Sequence, residues 1–451
     1  MMRLYDTVQR QVVPLRFREP GKVSMYVCGP TVYAPPHIGH GRQVLVYDIL
    51  RRYLDWSGLE VTFVSNVTDI DDAIIERGQR EGRDPAEIAV KCEAVWWDAL
   101  DRINVGRPDL TPHATEYVDQ MIALVTELID RGKAYETSDG IYLSVETVED
   151  YGLLPNLELD NLKEGGGERE IFGEEKHHPA DFVLWKRAKP GEPTWPSPWG
   201  DGRPGWHTEC VAMSLDLLGE GFDLHTGGLD LVFPHHENER AQAVALSRDF
   251  ARLWLHHGFV ELEGEKMSKS LGNVRNLLDL TEQYDPRAYR LVVAQSHYRS
   301  PIEITDETMT GAEAALGRLD AFARRTAGLT GEPSEESLDR FREAMENDLD
   351  TPGAVDLMFR LVREANTALD AGDEAAAGSA AATARTIAGA IGLELEAEAE
   401  APAEIERLAA ERDRARQARD FARADQLRDE LAAAGWVVED SADGPVLRPR
   451  S

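Results

Sequence analysis

Between Val23 and Cys28 an apolar run ends in Gly29-Pro30, and from about Gln43 to Trp56 apolar residues recur at Leu45, Ile49 and Tyr53 and at Val46, Leu50 and Leu54. Two adjoining rows at a spacing of four residues put a broad apolar stripe along one side of a helix. Glu60 to Val64 reads as a second buried strand. Strand, loop, helix, strand is the opening of a parallel α/β sheet, whose ligands gather beyond the carboxyl ends of the strands. Cys28 and the segment His37-Ile38-Gly39-His40 sit at such an end.

The pattern then changes. Residues from about 95 to 200 hold helical stretches followed by a region rich in Gly, Pro and Trp (Gly165 to Gly167, Pro190 to Pro204), which reads as loops and an inserted subdomain. Phe222 to Thr226 resumes a strand and Pro234 opens a helix. The expected fold is therefore α/β: a Rossmann-like, parallel-sheet catalytic domain over residues 1–300, split by a connective insertion at about 95–205. A helix-rich stretch from Thr305 to Leu393 predicts a helical bundle over 301–393. An Ala/Glu-rich linker fills 394–403, and a small module covers 404–451. In it Ala403 to Leu431 is helical, and Trp436 to Val438 can pair with Val446-Leu447 around Ser441 to Pro445.

Composition narrows the class. No apolar stretch approaches the ~20 residues of a membrane span, and Met1 to Arg18 lack the apolar core of a secretory signal. A cytoplasmic location without membrane association is expected. Three cysteines, Cys28, Cys92 and Cys210, form no disulfide framework. A formal charge of −33 opposes broad electrostatic attachment to nucleic acid or anionic lipid. Only nine lysines occur, and Lys266 and Lys269 fall within Lys266-Met267-Ser268-Lys269-Ser270.

The histidine segment joins a strand to a helix, where Gly39 lets backbone approach a ligand and the amides of the helix start attract phosphate. The lysine segment follows the strand-like run Gly258 to Leu262 and offers two ammonium groups to a polyphosphate. Together the two segments resemble the signature of class I aminoacyl-tRNA synthetases. That resemblance implies ATP, with Mg2+, as substrate and adenylation of an amino acid carboxylate. It implies that His37 and His40 stabilise the α-phosphate and Lys266 and Lys269 the leaving pyrophosphate, by placing donors where charge develops.

Cys28, then Cys210 in Gly205-Trp206-His207-Thr208-Glu209-Cys210, then His235 and Glu239 in Phe233-Pro234-His235-His236-Glu237-Asn238-Glu239 supply two thiols, an imidazole and a carboxylate. Such a set suits Zn2+ better than Mg2+ or Ca2+. The spacing is not that of a local zinc knuckle, and position alone reads both cysteines as small buried hydrophobes. These segments resemble those of the cysteinyl-tRNA synthetases across nearly the whole chain. The resemblance implies one Zn2+ on Cys28, Cys210, His235 and Glu239, with the substrate thiolate as a fifth ligand or Glu239 as a weak one. His236, next in sequence, would point ~100° away around the helix.

The same likeness places Thr68 and Trp206 at the cysteine pocket, and Gly227 and Asp230, in His225-Thr226-Gly227-Gly228-Leu229-Asp230, at the adenosine. Cys92 reads as packing. Near the C-terminus Arg412, Arg416, Arg419 and Arg423 share a helical stripe close to Phe421 and Trp436, able to contact phosphates and an unpaired base. By charge alone it is a solvated face paired with Asp413, Asp420 and Asp425. The likeness makes it an anticodon-reading module and the partners tRNA(Cys), L-cysteine and ATP, with a monomeric enzyme. Two alternatives share parts of this pattern: a ligase passing the cysteinyl group to glucosaminyl-inositol, and a non-catalytic zinc and tRNA-binding paralogue.

Overall fold

The computed structural model describes residues 2–158, 175–262, 265–266, 275–396, 403–418, 420–441 and 444–449. Lys269, Arg419 and Gly165 to Gly167 lie outside the described residues, and of Lys266 the backbone alone is described. The chain divides into two compact units. One comprises residues 1–313, 334–359 and 386–393, the other 314–333, 360–385 and 394–451.

The first unit is built on a parallel sheet. Its strands are β1 (Lys22–Val27), β2 (Glu60–Ser65), β3 (Leu224–Gly228) and β4 (Leu253–His257), in spatial order β4-β3-β1-β2. β1 pairs with β2 from Lys22 against Glu60 to Val27 against Ser65, and with β3 through Met25 against Leu224 to Val27 against Thr226. β1 and β3, adjacent in space, are almost 200 residues apart in sequence, so the insertion leaves from and returns to one sheet.

Helix α1 (Ile38–Trp56) follows β1 as its periodicity predicts, and buries Leu45, Val46, Ile49, Leu50, Tyr53 and Leu54. It begins five residues before the apolar rows do, because His37 and His40 cap it. Each ring Nδ1 accepts the other's backbone N–H, at 3.3 and 3.2 Å. Two amides that a helix start leaves unpaired are thereby satisfied.

The insertion holds more strand than its composition suggests. Ala134–Glu136, Gly140–Leu143, Phe182–Arg187 and Gly202–Pro204 form an antiparallel sheet with an irregularity between Ile141 and Tyr142. Its last strand runs directly into α2 (Trp206–Leu218). The helix expected from Pro234 begins later, as α3 (Glu237–Ala245). Residues Val232–His236 form a wide turn before it, in which Phe233 is extended (φ −142°, ψ 134°) and the Phe233-Pro234 bond is cis.

Two short helices, Leu277–Gln283 and Pro286–Ala294, come next, and then four longer ones at Asp306–Arg325, Glu335–Glu346, Thr351–Asp370 and Glu374–Ala390. The C-terminal module is a helical pair, Ala403–Gln417 and Phe421–Ala433, with a hairpin of Trp436–Ser441 and Gly444–Pro449. Among the described residues no helix is long and apolar enough to cross a membrane.

One buried ion pair ties α1 to its surroundings. Arg290 donates to Asp48 at 2.6 Å, to the carbonyls of Ile103 and Asn104 at 3.1 and 2.6 Å, and to that of Ile391 at 3.2 Å. Both side chains are nearly inaccessible, at 2% and 4%. Removing Arg290 strands several carbonyls in a dry interior, while Asp48 keeps Arg52 at 2.8 Å and the Gly106 amide at 2.8 Å. Arg290→Met is expected to lower unfolding free energy by about 1–3 kcal/mol in urea titrations, and an unchanged midpoint would contradict this account.

Candidate functional site

The carboxyl ends of β1 and β3, together with α2 and α3, enclose four potential metal ligands. Cys28 Sγ stands 3.7 Å from Cys210 Sγ and 3.4 Å from Glu239 Oε1. His235 Nε2 stands 3.6 Å from Cys210 Sγ and 3.0 Å from Glu239 Oε1. All four donors lie within 4.8 Å of one another and are buried. Ligands ~2.0–2.3 Å from a tetrahedral ion stand roughly 3.3–3.8 Å apart, so the cage is close to the size a zinc ion needs. His235 stands in the turn before α3 and Glu239 in the first turn of that helix, so the two are brought together at the helix start rather than by sharing one helix face, the arrangement their spacing suggests.

A second quartet, Cys28, His225, His236 and Glu239, overlaps the first. Its geometry is that of an outer layer. His225 Nε2 lies 2.6 Å from Glu239 Oε2, a hydrogen bond that leaves Oε1 turned toward the cage. His236 Nε2 is 3.3 Å from Cys28 Sγ but 4.0 Å from Glu239 Oε1. His207 Nδ1 meets His235 Nδ1 at 2.9 Å, which leaves Nε2 of His235 for the cage. Imidazoles and carboxylates that orient ligands in this way are a general feature of metal sites. Glu237, the other close neighbour, takes no part. Its carboxylate accepts the amides of Gly152 and Leu154 at 2.9 Å and pairs with Arg240.

Thr68 and Trp206 border the cage. Trp206 stacks on His235 with ring centroids 4.1 Å apart. The Thr68 hydroxyl donates to Glu209 Oε2 at 2.7 Å, and burial pushes the Glu209 carboxyl well above the usual carboxylate range. Gly29 allows the chain to pass here, since a Cβ on it would lie 1.6 Å from the Asn66 carbonyl oxygen. Its amide donates instead to Asn66 Oδ1 at 2.8 Å.

The histidine motif opens at the same end of the sheet. Gln43, on α1 below His40, donates to the Cys28 carbonyl at 2.7 Å. Because Nδ1 of both His37 and His40 accepts a backbone N–H, each neutral ring carries its proton on Nε2. The rings stack at 3.6 Å, presenting neighbouring donors of the kind an anion requires. The chain beyond the lysine motif is fastened to this loop, with Ile38 N donating to Arg275 O at 3.1 Å and Leu277 N to Pro36 O at 2.9 Å. Asp230 is exposed just past β3. Gly227 is buried, and a Cβ on it would lie 2.7 Å from the His236 ring, so it makes room for the histidine layer.

The arginine stripe is not realised as one exposed row, which corrects the expectation for the module. Arg412 is 7% exposed, because Ile405, Ala409 and Arg412 follow 4 and 3 spacing onto the inward face. Arg423 pairs with Glu411 at 2.8 Å and approaches Glu430 at 3.7 Å. Arg416 is half-buried. Trp436 packs against the core of Ile405, Ala409, Leu431 and Val438, while Phe421 is 63% exposed. Cys92 is buried among Val32, Val67, Ile74, Ile88 and Ala89, as packing.

Sequence reasoning missed His207, His225, His256 and Glu209. A signal existed: six of the twelve histidines fall within residues 207–257, and all six are buried. Burial holds the Cys28 and Cys210 thiols above their ordinary value. It pushes His235 down to about 4, His256 and His257 to about 3, and His207 and His236 well below the usual imidazole range. A histidine with a depressed folded value contributes its full stability above the unfolded value near 6.5. That contribution is lost as pH falls, because the unfolded chain takes up protons the folded chain refuses. The metal-free protein is therefore expected to lose up to about 1.4 kcal/mol per pH unit for each such ring below about pH 6.5. Melting temperatures measured from pH 7 to 5 check this, and a flat profile would sink it.

Comparison with known proteins bears on the whole chain. Residues 14–314 match the family model of the tRNA synthetases class I (C) catalytic domain, residues 340–396 the DALR domain, and residues 398–445 the cysteinyl-tRNA ligase anticodon binding domain. The chain is 45% identical to the cysteine–tRNA ligase of Nitratidesulfovibrio vulgaris, over 99% of both chains. It is 43% identical to that of Streptomyces avermitilis over the full length of both, and 43% to that of Thermus thermophilus over 99% of this chain and 98% of the relative. In fold it resembles the Mycobacterium tuberculosis methionyl-tRNA synthetase in complex with methionyl-adenylate, with a TM-score of 0.59 at 14% identity over 82% of this chain and 89% of that one. It also resembles the LeuRS of Agrobacterium radiobacter K84, with a TM-score of 0.60 at 11% identity over 83% and 84%. With a class I catalytic match over most of its length and full-length identity above 40% to curated relatives, the chain belongs to the cysteinyl-tRNA ligase family of class I aminoacyl-tRNA synthetases.

Proposed function

We propose that the chain charges tRNA with cysteine, activating the amino acid with ATP as cysteinyl adenylate and passing it to the tRNA 3′ end. The observation that carries this reading is the buried set of Cys28, Cys210, His235 and Glu239, of zinc-cage dimensions, in a chain related over its full length to cysteine–tRNA ligases. Zinc held there by Cys28, Cys210, His235 and Glu239 would supply a Lewis acid with affinity for the substrate thiolate. A metal selects a thiol over a hydroxyl because it stabilises the conjugate base of the more acidic group. Shape alone distinguishes such near-isosteres by roughly 1–3 kcal/mol.

The chain's own groups do the rest. Cys28 is held by the sheet and by Gln43. Glu239 is turned by His225, and His235 by His207 and the Trp206 ring. Thr68, tied to Glu209, borders the place where the substrate backbone would lie. With its sulfur fixed, the carboxylate of cysteine is directed toward the start of α1, where the Nε2–H groups of His37 and His40 stabilise charge on the α-phosphate. Lys266 and Lys269 receive the departing pyrophosphate with its Mg2+, and Asp230 serves the adenosine. No protein base is required, since the attacking carboxylate is already ionised.

The match of residues 398–445 to an anticodon binding domain favours tRNA over an amino-sugar as acceptor. Within that module Phe421 and the outer arginines, Arg416 and Arg423, are the groups offered to RNA. As tRNA ligand and zinc enzyme in one chain, the protein acts where tRNA is charged, in the cytoplasm.

Two measurements test the reading. Purified protein is expected to exchange pyrophosphate into ATP with cysteine and not with serine, and to cysteinylate tRNA but not glucosaminyl-inositol. Failure of the cysteine-dependent exchange would overturn it. Zinc binding should release about two protons, because the two thiols are held above their ordinary value until the metal displaces their protons. Apparent zinc affinity should accordingly rise about 100-fold per pH unit near neutrality, whereas Cys210→Ser should lose zinc and cysteine affinity together.

A further inference from the structure

Thr7 lies just past the N-terminal strand Arg3–Asp6, far in sequence from every residue of the site. Its Oγ1 stands 2.7 Å from His256 Nδ1. His256 Nε2 stands 2.7 Å from His236 Nδ1, and His236 Nε2 stands 3.3 Å from Cys28 Sγ. These contacts form an unbranched chain from a surface cleft, which Thr7 and His256 line, to a sulfur of the metal cage. Both imidazoles are buried, His236 completely and His256 to within 3%.

The chain has a direction. A metal-bound Cys28 is a thiolate and can only accept, so His236 must donate to it from Nε2. A neutral His236 then accepts at Nδ1, which obliges His256 to donate from Nε2 and to accept at its own Nδ1. The group at that end must be a donor, and the hydroxyl of Thr7 is one. The Thr7 backbone is itself fixed, with its amide donating to the Trp254 carbonyl at 2.9 Å. The thiolate sets the direction of the chain and Thr7 ends it: without the hydroxyl, the buried Nδ1 of His256 loses its partner and the relay that presents an N–H to the sulfur is held less firmly.

We infer that Thr7 is a positioning residue for the metal centre, its hydroxyl supplying the terminal partner of the His256–His236 relay that turns an N–H toward the Cys28 sulfur. This rests on the reading of Cys28 as a metal ligand and adds to it a control from the outer surface. An N–H donated to a ligating sulfur draws electron density from it and leaves the ion a stronger acceptor for an incoming thiolate.

The test compares Thr7→Val, which keeps the shape and deletes the hydroxyl, with Thr7→Ser, which keeps the hydroxyl. In full-length protein, zinc affinity measured against a chromophoric chelator is expected to weaken about 10-fold in Thr7→Val and to hold in Thr7→Ser. In the cobalt-substituted protein the sulfur-to-metal charge-transfer band should shift in the first variant and not in the second. A general packing defect would lower the melting temperature without moving that band. Thr7→Val with wild-type affinity and an unshifted band overturns the proposal. Independently of any variant, long-range proton–nitrogen spectra of the zinc-loaded wild type should show His236 and His256 as Nε2–H tautomers, and an Nδ1–H His236 overturns it. A wild-type protein that takes up no zinc would instead refute the metal site itself, a result separable from the others.

Discussion

The constraint on which the rest of the structure depends is the cost of placing two thiols, a carboxylate and a crowd of imidazoles in a site closed to water. An unpaired polar group in such a place costs roughly 2–7 kcal/mol, and the interior here holds six histidines beside Cys28, Cys210, Glu209 and Glu239. The chain meets much of that cost by making them one another's partners, although the buried Nδ1 of His225 and Nε2 of His257 find none among the described residues. Glu239 spends one oxygen on His225 and points the other into the cage. His235 contacts His207 through Nδ1 and presents Nε2. A divalent ion would complete the arrangement, turning two thiols held above their ordinary value into ligands. The imidazoles stay neutral and can serve as directed donors and acceptors.

Helix α1 is the strut between the two halves of the chemistry. Its first residues are the reciprocal caps His37 and His40, whose hydrogen bonds to backbone amides leave Nε2 of each as donor. A turn later Gln43 holds the Cys28 carbonyl, and further along Asp48 receives Arg290 in a buried pair. The reciprocal histidine caps, the tether to Cys28 and the structural anchor therefore sit on one rigid element. Sub-ångström placement of reacting groups matters most where charge develops during reaction, and a capped, ion-paired helix supplies it better than a loop.

Much of this was legible in the residues. The strands at Val23 to Cys28 and Glu60 to Val64 and the helix between them follow from periodicity, and the cage ligands follow from motif likeness. What was not legible has physical causes. The strands of the insertion are three to six residues long and alternate with turns, too short for a period to emerge. His207, His225 and His256 acquire their roles only through partners brought near by the sheet. Arg412 was misjudged because a 4, 3 spacing describes a face without saying which face is inward. Ile405 and Ala409 share its face and take it into the core.

The insertion is part of the metal site as well as an elaboration of the sheet. Its strand Phe182–Arg187 receives the Gly205 amide on the Leu184 carbonyl at 2.8 Å, and its last strand, Gly202–Pro204, ends where α2 begins. The register of that small sheet therefore sets where Trp206, His207, Glu209 and Cys210 stand. Cys28, by contrast, is set by the parallel pairing of β1 with β3, whose Thr226 carbonyl accepts the Cys28 amide at 3.3 Å. One thiol follows the sheet strand β1 and the other sits on α2, the helix into which the insertion's last strand leads, so an ion held by both would link two separately built structures. A shift of α2 against the sheet would change the distance between the sulfurs, and a metal bound by both would stabilise the one arrangement in which that distance suits the ion. Selection of a thiol by such an ion and the docking of the insertion would then be two expressions of a single equilibrium.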